Sequence, residues 1–344
     1  MILPGNYTIA MALLILGMLA WGVWINTFKA ARGGYRFELY YFDFAIGVLV
    51  ASLVIALTAG SLGFDGFSFM DEISLAGKRQ EFFGFVAGVA FNLGNMLLVA
   101  AVSVAGIAVS FPLAMGTALI VSVLWNFATN PGGNAAFLFG GIALLIVAII
   151  FDVLAYSTWL TSKAKASTEA GKKMKQPRLR GVLLGAAGGL LLGSFLNITA
   201  MGEAGENGLG PYTVGVMFAV GVLFSTFVFN LFFMNLPVAG EPLEIGEYFR
   251  AKISQHGLGW LGGILWFCGF SMSLVAGRVE GAAKVPLQLS FGIGQAGIII
   301  AVLCGLFVWR EMSGGEGVRS RLWVMLALLA AGVGLAAAGI APPK

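Results

Sequence analysis

The chain of 344 residues has a formal net charge of +4, is 59% hydrophobic and only 10% charged, and has a mean hydropathy of +0.92. A soluble domain has about 25% charged residues, so a chain this apolar could not cover its own surface in water. Its apolar runs are continuous rather than alternating, which argues against a transmembrane β-barrel and predicts membrane-spanning helices.

The apolar runs predict ten transmembrane helices, because a span needs about 20 apolar residues. The first run has no positively charged segment before it and no clear small-residue cleavage site, so we expect a membrane helix rather than a cleaved signal peptide. In chain order the predicted helices 1 to 10 cover residues 7–28, 40–62, 82–103, 105–127, 135–161, 180–201, 211–235, 257–277, 283–309 and 321–340.

A lysine-rich linker divides these helices into five plus five. The sequence therefore predicts a first half over residues 1–161, a basic cytoplasmic linker over 162–179 and a second half over 180–344. Fifteen of the 20 lysines and arginines lie in loops on the linker side of the membrane, which predicts that this side is cytoplasmic and that both termini are extracytoplasmic. The simplest role of the linker is this orientation signal, and an anionic-lipid site is the alternative.

The two halves show matching residue patterns. Helices 1 and 6 both contain G-x-x-x-N, ending at Asn26 and Asn197, and helices 3 and 8 each carry two glycines six residues apart. Because each half has an odd number of helices, the halves must enter the membrane from opposite sides. The expected fold is an all-α integral membrane protein of two inverted five-helix repeats, a plan typical of transporters with a substrate site near the midplane.

Two aspartates within predicted spans are candidates for carrying a coupling proton. Asp43 lies early in helix 2 and Asp152 late in helix 5. A polar group in lipid is costly, and a buried carboxyl group can bind and release a proton near neutral pH. The alternative is that each carboxylate caps a neighbouring helix or pairs with Lys29, Arg32 or Arg36. Sodium in place of the proton remains open.

Side-chain amides within the spans are candidates for binding a neutral polar solute, because an amide both donates and accepts hydrogen bonds. Asn92 and Asn95 share one face of helix 3, and Gln288 and Gln295 share one face of helix 9. Hydrogen bonding between helices is the alternative. The remaining polar candidates for substrate contact are Asn26, Asn197 and Ser110.

Two tryptophans and two prolines complete the set of candidate residues. Trp21 and Trp266 fall within spans, where an indole can stack on a heterocycle or on a sugar face, although packing is the alternative. Pro112 and Pro286 lie near the starts of helices 4 and 9, and paired helix breaks in two halves point to a binding site, with a packing kink as the alternative.

The sequence contains no motif for energy-coupling or catalytic chemistry. It has no phosphate-binding G-x-x-x-x-G-K-[ST] loop, a single histidine, His256, and two cysteines, Cys268 and Cys304, in apolar segments. We therefore expect no enzyme activity, cofactor, metal site or disulfide, and no nucleic-acid partner.

Several stretches in chain order resemble the drug/metabolite transporter superfamily, and among its branches the ureide permeases and the glucose/ribose and rhamnose porters. They are Tyr41–Phe44, Ala56–Gly60, Leu93–Asn95, Pro211–Thr213, Gly262–Trp266 and Gly305–Glu311. The resemblance implies proton-coupled uptake of a nucleobase or ureide or of a monosaccharide, through a central cavity lined by helices 1, 3, 4, 6, 8 and 9. Some plant ureide permeases carry a phosphate-loop-like motif in the central linker, and here only lysines stand in its place.

The leading hypothesis is a proton-linked symporter in the cell membrane that works by alternating access of its two halves, with a small-molecule substrate and membrane lipid as partners. One alternative is an exporter of drugs or amphipathic cations, which usually requires a central carboxylate. Another is a membrane sensor or scaffold that transports nothing.

Overall fold

The computed structural model describes residues 1–31, 33, 35–129, 131–169, 180–278, 285, 287–313 and 317–340. Within these ranges the protein is helical and contains no β-strand. The helices are α1 (Tyr7–Val23), α2 (Ile25–Ala30), α3 (Phe37–Leu57), α4 (Phe69–Leu75), α5 (Lys78–Ala105), α6 (Ile107–Thr129), α7 (Ala135–Glu169), α8 (Arg180–Glu203), α9 (Pro211–Asn235), α10 (Gly246–Arg250), α11 (Ile253–Gly277), α12 (Leu287–Leu303) and α13 (Val318–Gly339).

The described residues include nine helical segments that are long and apolar enough to cross a membrane. The first combines α1 and α2 over Tyr7–Ala30, and the others are α3, α5, α6, α7, α8, α9, α11 and α13. α12 is shorter and continues into a π-helical turn over Cys304–Val308, at the place of predicted helix 9. The all-α membrane fold is thus confirmed, whereas the count of ten spans remains a prediction.

The short helices α4 and α10 lie between spans and were not predicted. α7 continues to Glu169, so the first residues of the predicted linker are helical, and residues 170–179 lie outside the described part of the chain. α6 is continuous from Ile107 to Thr129, so Pro112 does not end this helix. Pro286 lies outside the described residues.

The spanning helices pack mainly across the predicted halves. α1 packs on α11 and α12, while α8 packs on α5 and α6; α3 packs on α11, and α9 on α5. We group these helices into bundle A, of α1, α3, α11 and α12, and bundle B, of α5, α6, α8 and α9. The two bundles pack on each other mainly through α3 on α9 and α12 on α6. α7 and α13 pack against each other.

Glycines allow two of these pairs to approach closely. A Cβ atom on Gly188 of α8 would lie 2.8 Å from the Gly94 carbonyl oxygen of α5, and one on Gly269 of α11 would lie 3.0 Å from the Gly17 carbonyl oxygen of α1. The two glycine pairs occupy corresponding positions in the two predicted halves. This pairing supports the predicted inverted repeats, which remain a prediction.

Candidate transport site

A cavity lies between bundles A and B. It is lined by residues of α1, α5, α6, α8, α11 and α12, which are the predicted helices 1, 3, 4, 6, 8 and 9. Its volume is about 60 Å³. Pockets for drug-sized ligands measure about 300–1,000 Å³, so in this conformation the cavity suits only a small ligand.

Six of the fifteen described residues that line the cavity are aromatic. The Trp266 ring packs against Phe91 with ring centroids 3.9 Å apart and stacks on Phe218 at 5.5 Å with an interplanar angle of 10°. Trp21 lies 6.4 Å from Trp266, and its indole nitrogen donates a 3.1 Å hydrogen bond to the Trp266 carbonyl oxygen. These ring contacts hold Trp266 in place beside the cavity.

Two predicted amides reach this aromatic cavity. Asn95 lines it from α5 and Gln295 from α12. The Asn95 amide nitrogen donates a 3.1 Å hydrogen bond to the Tyr41 hydroxyl group. Within the described part of the chain, no hydrogen bond reaches the Asn95 Oδ1 atom or the Gln295 side chain. These amide atoms are therefore available to bond a polar ligand in the cavity.

The structure gives Asn92 and Asn26 partners outside the cavity lining. The Asn92 amide nitrogen donates to the Ser225 and Thr226 hydroxyl groups of α9 at 2.7 and 3.1 Å. The Asn26 oxygen accepts a 2.7 Å hydrogen bond from the Trp309 indole nitrogen. Both amides thus join helices, which is the alternative interpretation of such residues.

Of three further candidates, Asn197 and Ser110 are not among the described residues that line the cavity. The Asn197 amide nitrogen donates to the Gly193 carbonyl oxygen of its own helix at 3.2 Å. Ser110 is fully buried, and its hydroxyl oxygen has no hydrogen-bond partner in the described chain. Gln288 lies in α12, and its side chain is outside the described residues.

Asp43 is the centre of a polar cluster at the end of the bundle that the lysines and arginines predict to be cytoplasmic. The carboxylate is fully buried. It accepts hydrogen bonds from the Tyr35 hydroxyl, the Tyr248 hydroxyl at 2.7 Å, the His256 Nδ1 atom at 2.9 Å and the Trp260 indole nitrogen at 3.2 Å. We call these five residues the Asp43 cluster.

Two tyrosines of the Asp43 cluster lie outside the membrane-spanning helices. Burial raises the pKa of the Tyr35 hydroxyl far above its usual value, and the hydrogen bond to Asp43 raises it further. The same two causes, in the same order, raise the pKa of Tyr248. Both hydroxyl groups therefore stay protonated at neutral pH and remain hydrogen-bond donors to the carboxylate.

Sequence reasoning found Asp43 but not its partners. Asp43 does not form the alternative ion pairs with Lys29 or Arg36. Lys29 pairs with Glu311 and Arg36 pairs with Glu38. The third candidate, Arg32, lies outside the described residues. The sequence signal for these partners was the single histidine, His256. It directly precedes predicted helix 8, at the same end of the bundle where predicted helix 2 begins. His256 and Asp43 are 213 residues apart in the chain, so only the helix packing brings them together.

Asp152 lies in a different environment from Asp43. It is fully buried in α7, and neither carboxylate oxygen has a hydrogen-bond partner within the described residues. α7 packs on α13 and α6, away from the residues that line the cavity. The two predicted carboxylates are therefore not part of one site.

The Lys29–Glu311 ion pair lies at the same end of the bundle as the Asp43 cluster. The Glu311 carboxylate pairs with Lys29 of α2 and accepts the backbone N–H groups of Ile107 and Ala108 at 3.1 and 2.7 Å. These N–H groups begin α6, which follows Gly106 at a φ of 89°. A carboxylate at a helix N-terminus is favourable because the first N–H groups have no partner within the helix. Glu311 therefore links α2, which continues α1 of bundle A, to α6 of bundle B.

Comparison with known proteins finds similarity to the ureide permeases. A family model described as ureide permease matches residues 40–183. Ureide permease 1 of Arabidopsis thaliana is 22% identical over 357 residues, which cover 88% of this chain and 89% of the relative. Ureide permease 3 of the same plant is 23% identical over 296 residues, covering 78% and 85%.

One solved crystal structure shares the fold. It superposes with a TM-score of 0.50 and 15% sequence identity, and the match covers 96% of this chain and 97% of the other. At this identity the match shows the fold alone. The apolar spanning helices indicate a multi-pass membrane protein, and its similarity to the ureide permeases indicates a transporter rather than an enzyme.

Proposed function

We propose that the protein carries a small, flat, neutral solute of the ureide class across the cell membrane in symport with protons. The observation that carries this proposal is the cavity between the bundles, where Asn95 and Gln295 present unpaired amide atoms beside the rings of Trp21, Phe91 and Trp266. A ureide offers N–H and C=O groups on a small frame. Amides can pair with both groups, and aromatic rings can cover its flat faces.

Two observations favour this substrate class over the alternatives. The described relatives are named ureide permeases, and the cavity has no charged side chain among the described residues that line it. An amphipathic cation would leave its charge unpaired in such a cavity, which is costly. A monosaccharide could also stack on an indole ring, so sugars belong in the experiment as competitors.

The Asp43 cluster supplies the proposed proton site. An ionised carboxylate can accept all four hydrogen bonds that converge on Asp43, whereas a protonated carboxyl group becomes a donor itself and must lose at least one. His256 can share the proton because its Nδ1 atom contacts both carboxylate oxygens. A change in protonation would therefore alter the packing of α3 on α11, which are both helices of bundle A.

Alternating access follows from movement of bundle A against bundle B. Each bundle draws two helices from each predicted half, so the moving bodies differ from the halves themselves. In this conformation the Glu311 carboxylate joins the bundles at one end. The solute can leave by that end only after these hydrogen bonds break.

The test is uptake by the purified protein in liposomes with an imposed proton gradient. Labelled allantoin is the ureide, and unlabelled uracil, ribose and glucose are competitors. Gln295→Leu removes one cavity amide and should raise the KM for the ureide about tenfold, the cost of one lost hydrogen bond. Gln80→Leu is the matched control, because Gln80 bonds the Ala204 carbonyl oxygen outside the cavity.

Three results are distinguishable. Saturable ureide uptake with the expected KM change in Gln295→Leu supports the proposal. Uptake of sugars alone would move the substrate class to monosaccharides. Transport of no solute, by protein that remains folded, would favour a sensor or scaffold.

A further inference from the structure

We propose that the Tyr41 hydroxyl group fixes the orientation of the Asn95 amide and so makes the cavity select solutes that offer an N–H group. This inference rests on the proposed function, since it concerns the same cavity. Tyr41 does not line the cavity, so it is a positioning residue that acts through Asn95.

The direction of two hydrogen bonds fixes the amide. Tyr41 is fully buried in α3, and its hydroxyl group donates to the Asn92 backbone carbonyl oxygen at 3.3 Å. A carbonyl oxygen can only accept and a hydroxyl group has one hydrogen, so the Tyr41 oxygen is left to accept. The Asn95 group that faces it at 3.1 Å must therefore be the NH₂ group.

The consequence for the cavity is a fixed acceptor. With one N–H of its NH₂ group held by Tyr41, the Asn95 amide keeps its Oδ1 atom as a fixed acceptor toward a solute, and no donor among the described residues reaches that atom. A solute with an N–H group at this position gains a hydrogen bond. A solute with a methylated nitrogen there leaves the buried Oδ1 atom unpaired, and sites of this kind reject such analogues strongly.

The chain offers a close control for this role. Tyr41→Phe removes one oxygen atom and keeps the ring, which packs on Phe44 with centroids 5.0 Å apart. Without the hydroxyl group the Asn95 amide can turn and present either group to the solute. Tyr40 is the adjacent residue and is equally buried, but its hydroxyl group bonds the Thr27 hydroxyl at 2.7 Å rather than a residue of the cavity wall. Tyr40→Phe therefore controls for loss of a buried hydroxyl group.

The experiment compares the affinity for allantoin with that for each of its singly N-methylated derivatives, by titration calorimetry on the purified protein and both variants. We expect the wild type and Tyr40→Phe to bind allantoin about 10- to 100-fold more tightly than at least one derivative, the range for one unpaired buried group. In Tyr41→Phe that ratio should fall to about threefold or less. A general loss of stability would weaken both ligands alike and leave the ratio unchanged.

The outcomes separate this inference from the proposed function. A wild-type ratio retained in Tyr41→Phe would overturn the role of Tyr41 while leaving the transport proposal intact. The same would follow from an equal fall in Tyr40→Phe. If the folded wild type binds neither allantoin nor any derivative, the proposed function fails, and the inference fails with it.

Discussion

Replacement of Asp43 by asparagine tests the proposed proton coupling most directly. The four donors that converge on Asp43 need acceptors, and an asparagine would turn an NH₂ group toward at least one of them. One charge-assisted hydrogen bond is worth about 1.5–3 kcal/mol, so the free energy of unfolding should fall by about that amount. The fold should survive, because the substitution changes neither the size of the side chain nor its apolar neighbours.

The effect on transport follows from the energy of the proton gradient. A gradient of about two pH units supplies ~2.7 kcal/mol per proton, enough for about 100-fold accumulation of the solute. Asp43→Asn should abolish this accumulation, because no proton binds, while counterflow exchange of solute across the liposome membrane continues. The assay is labelled-ureide uptake with and without the proton gradient, repeated with a sodium gradient to identify the coupling ion.

Asp152→Asn is the matched control, since Asp152 is also a fully buried aspartate within a span. It should retain accumulation. Normal concentrative uptake by Asp43→Asn would refute the reasoning and remove Asp43 from the mechanism. Loss of accumulation in Asp152→Asn alone would assign the coupling proton to Asp152.

Three further predictions concern stability and the closed end of the bundle. Asp152→Leu should raise the free energy of unfolding by about 1–3 kcal/mol, because it removes a buried group without hydrogen bonds; a lower melting temperature in detergent would contradict this. Glu311→Gln should weaken the pair with Lys29 and the cap of α6, and so increase the labelling of cysteines introduced at this end; unchanged labelling would show that the contact does not hold the end closed. Because their folded-state pKa values are raised, Tyr35 and Tyr248 contribute stability that is present below about pH 10 and is lost as the pH rises further. Tyr35→Phe and Tyr248→Phe should therefore lose less stability than the wild type between about pH 10 and 12. A melting temperature that falls with alkaline pH as steeply in both variants as in the wild type would argue against this.

The sequence by itself determined the class of the protein and the positions of its spans. Lipid requires about 20 apolar residues per span, and this requirement acts on each segment separately, so hydropathy finds the helices without knowledge of their packing. The observed α9 at Pro211–Asn235 has the bounds predicted for helix 7, and α8 begins at Arg180 as predicted for helix 6. The short helices α4 and α10 were not predicted, because they are too short to give a hydropathy signal.

Only the tertiary structure decided which polar residues meet. Asn92 and Asn95 share a helix face and look alike in the sequence, yet one bonds α9 and the other reaches the cavity, because their partners come from different helices. Asp43 acquired His256 as a partner through the packing of α3 on α11. Hydropathy is a property of each segment, whereas these contacts join residues 54 or more positions apart, and no local pattern specifies such a contact.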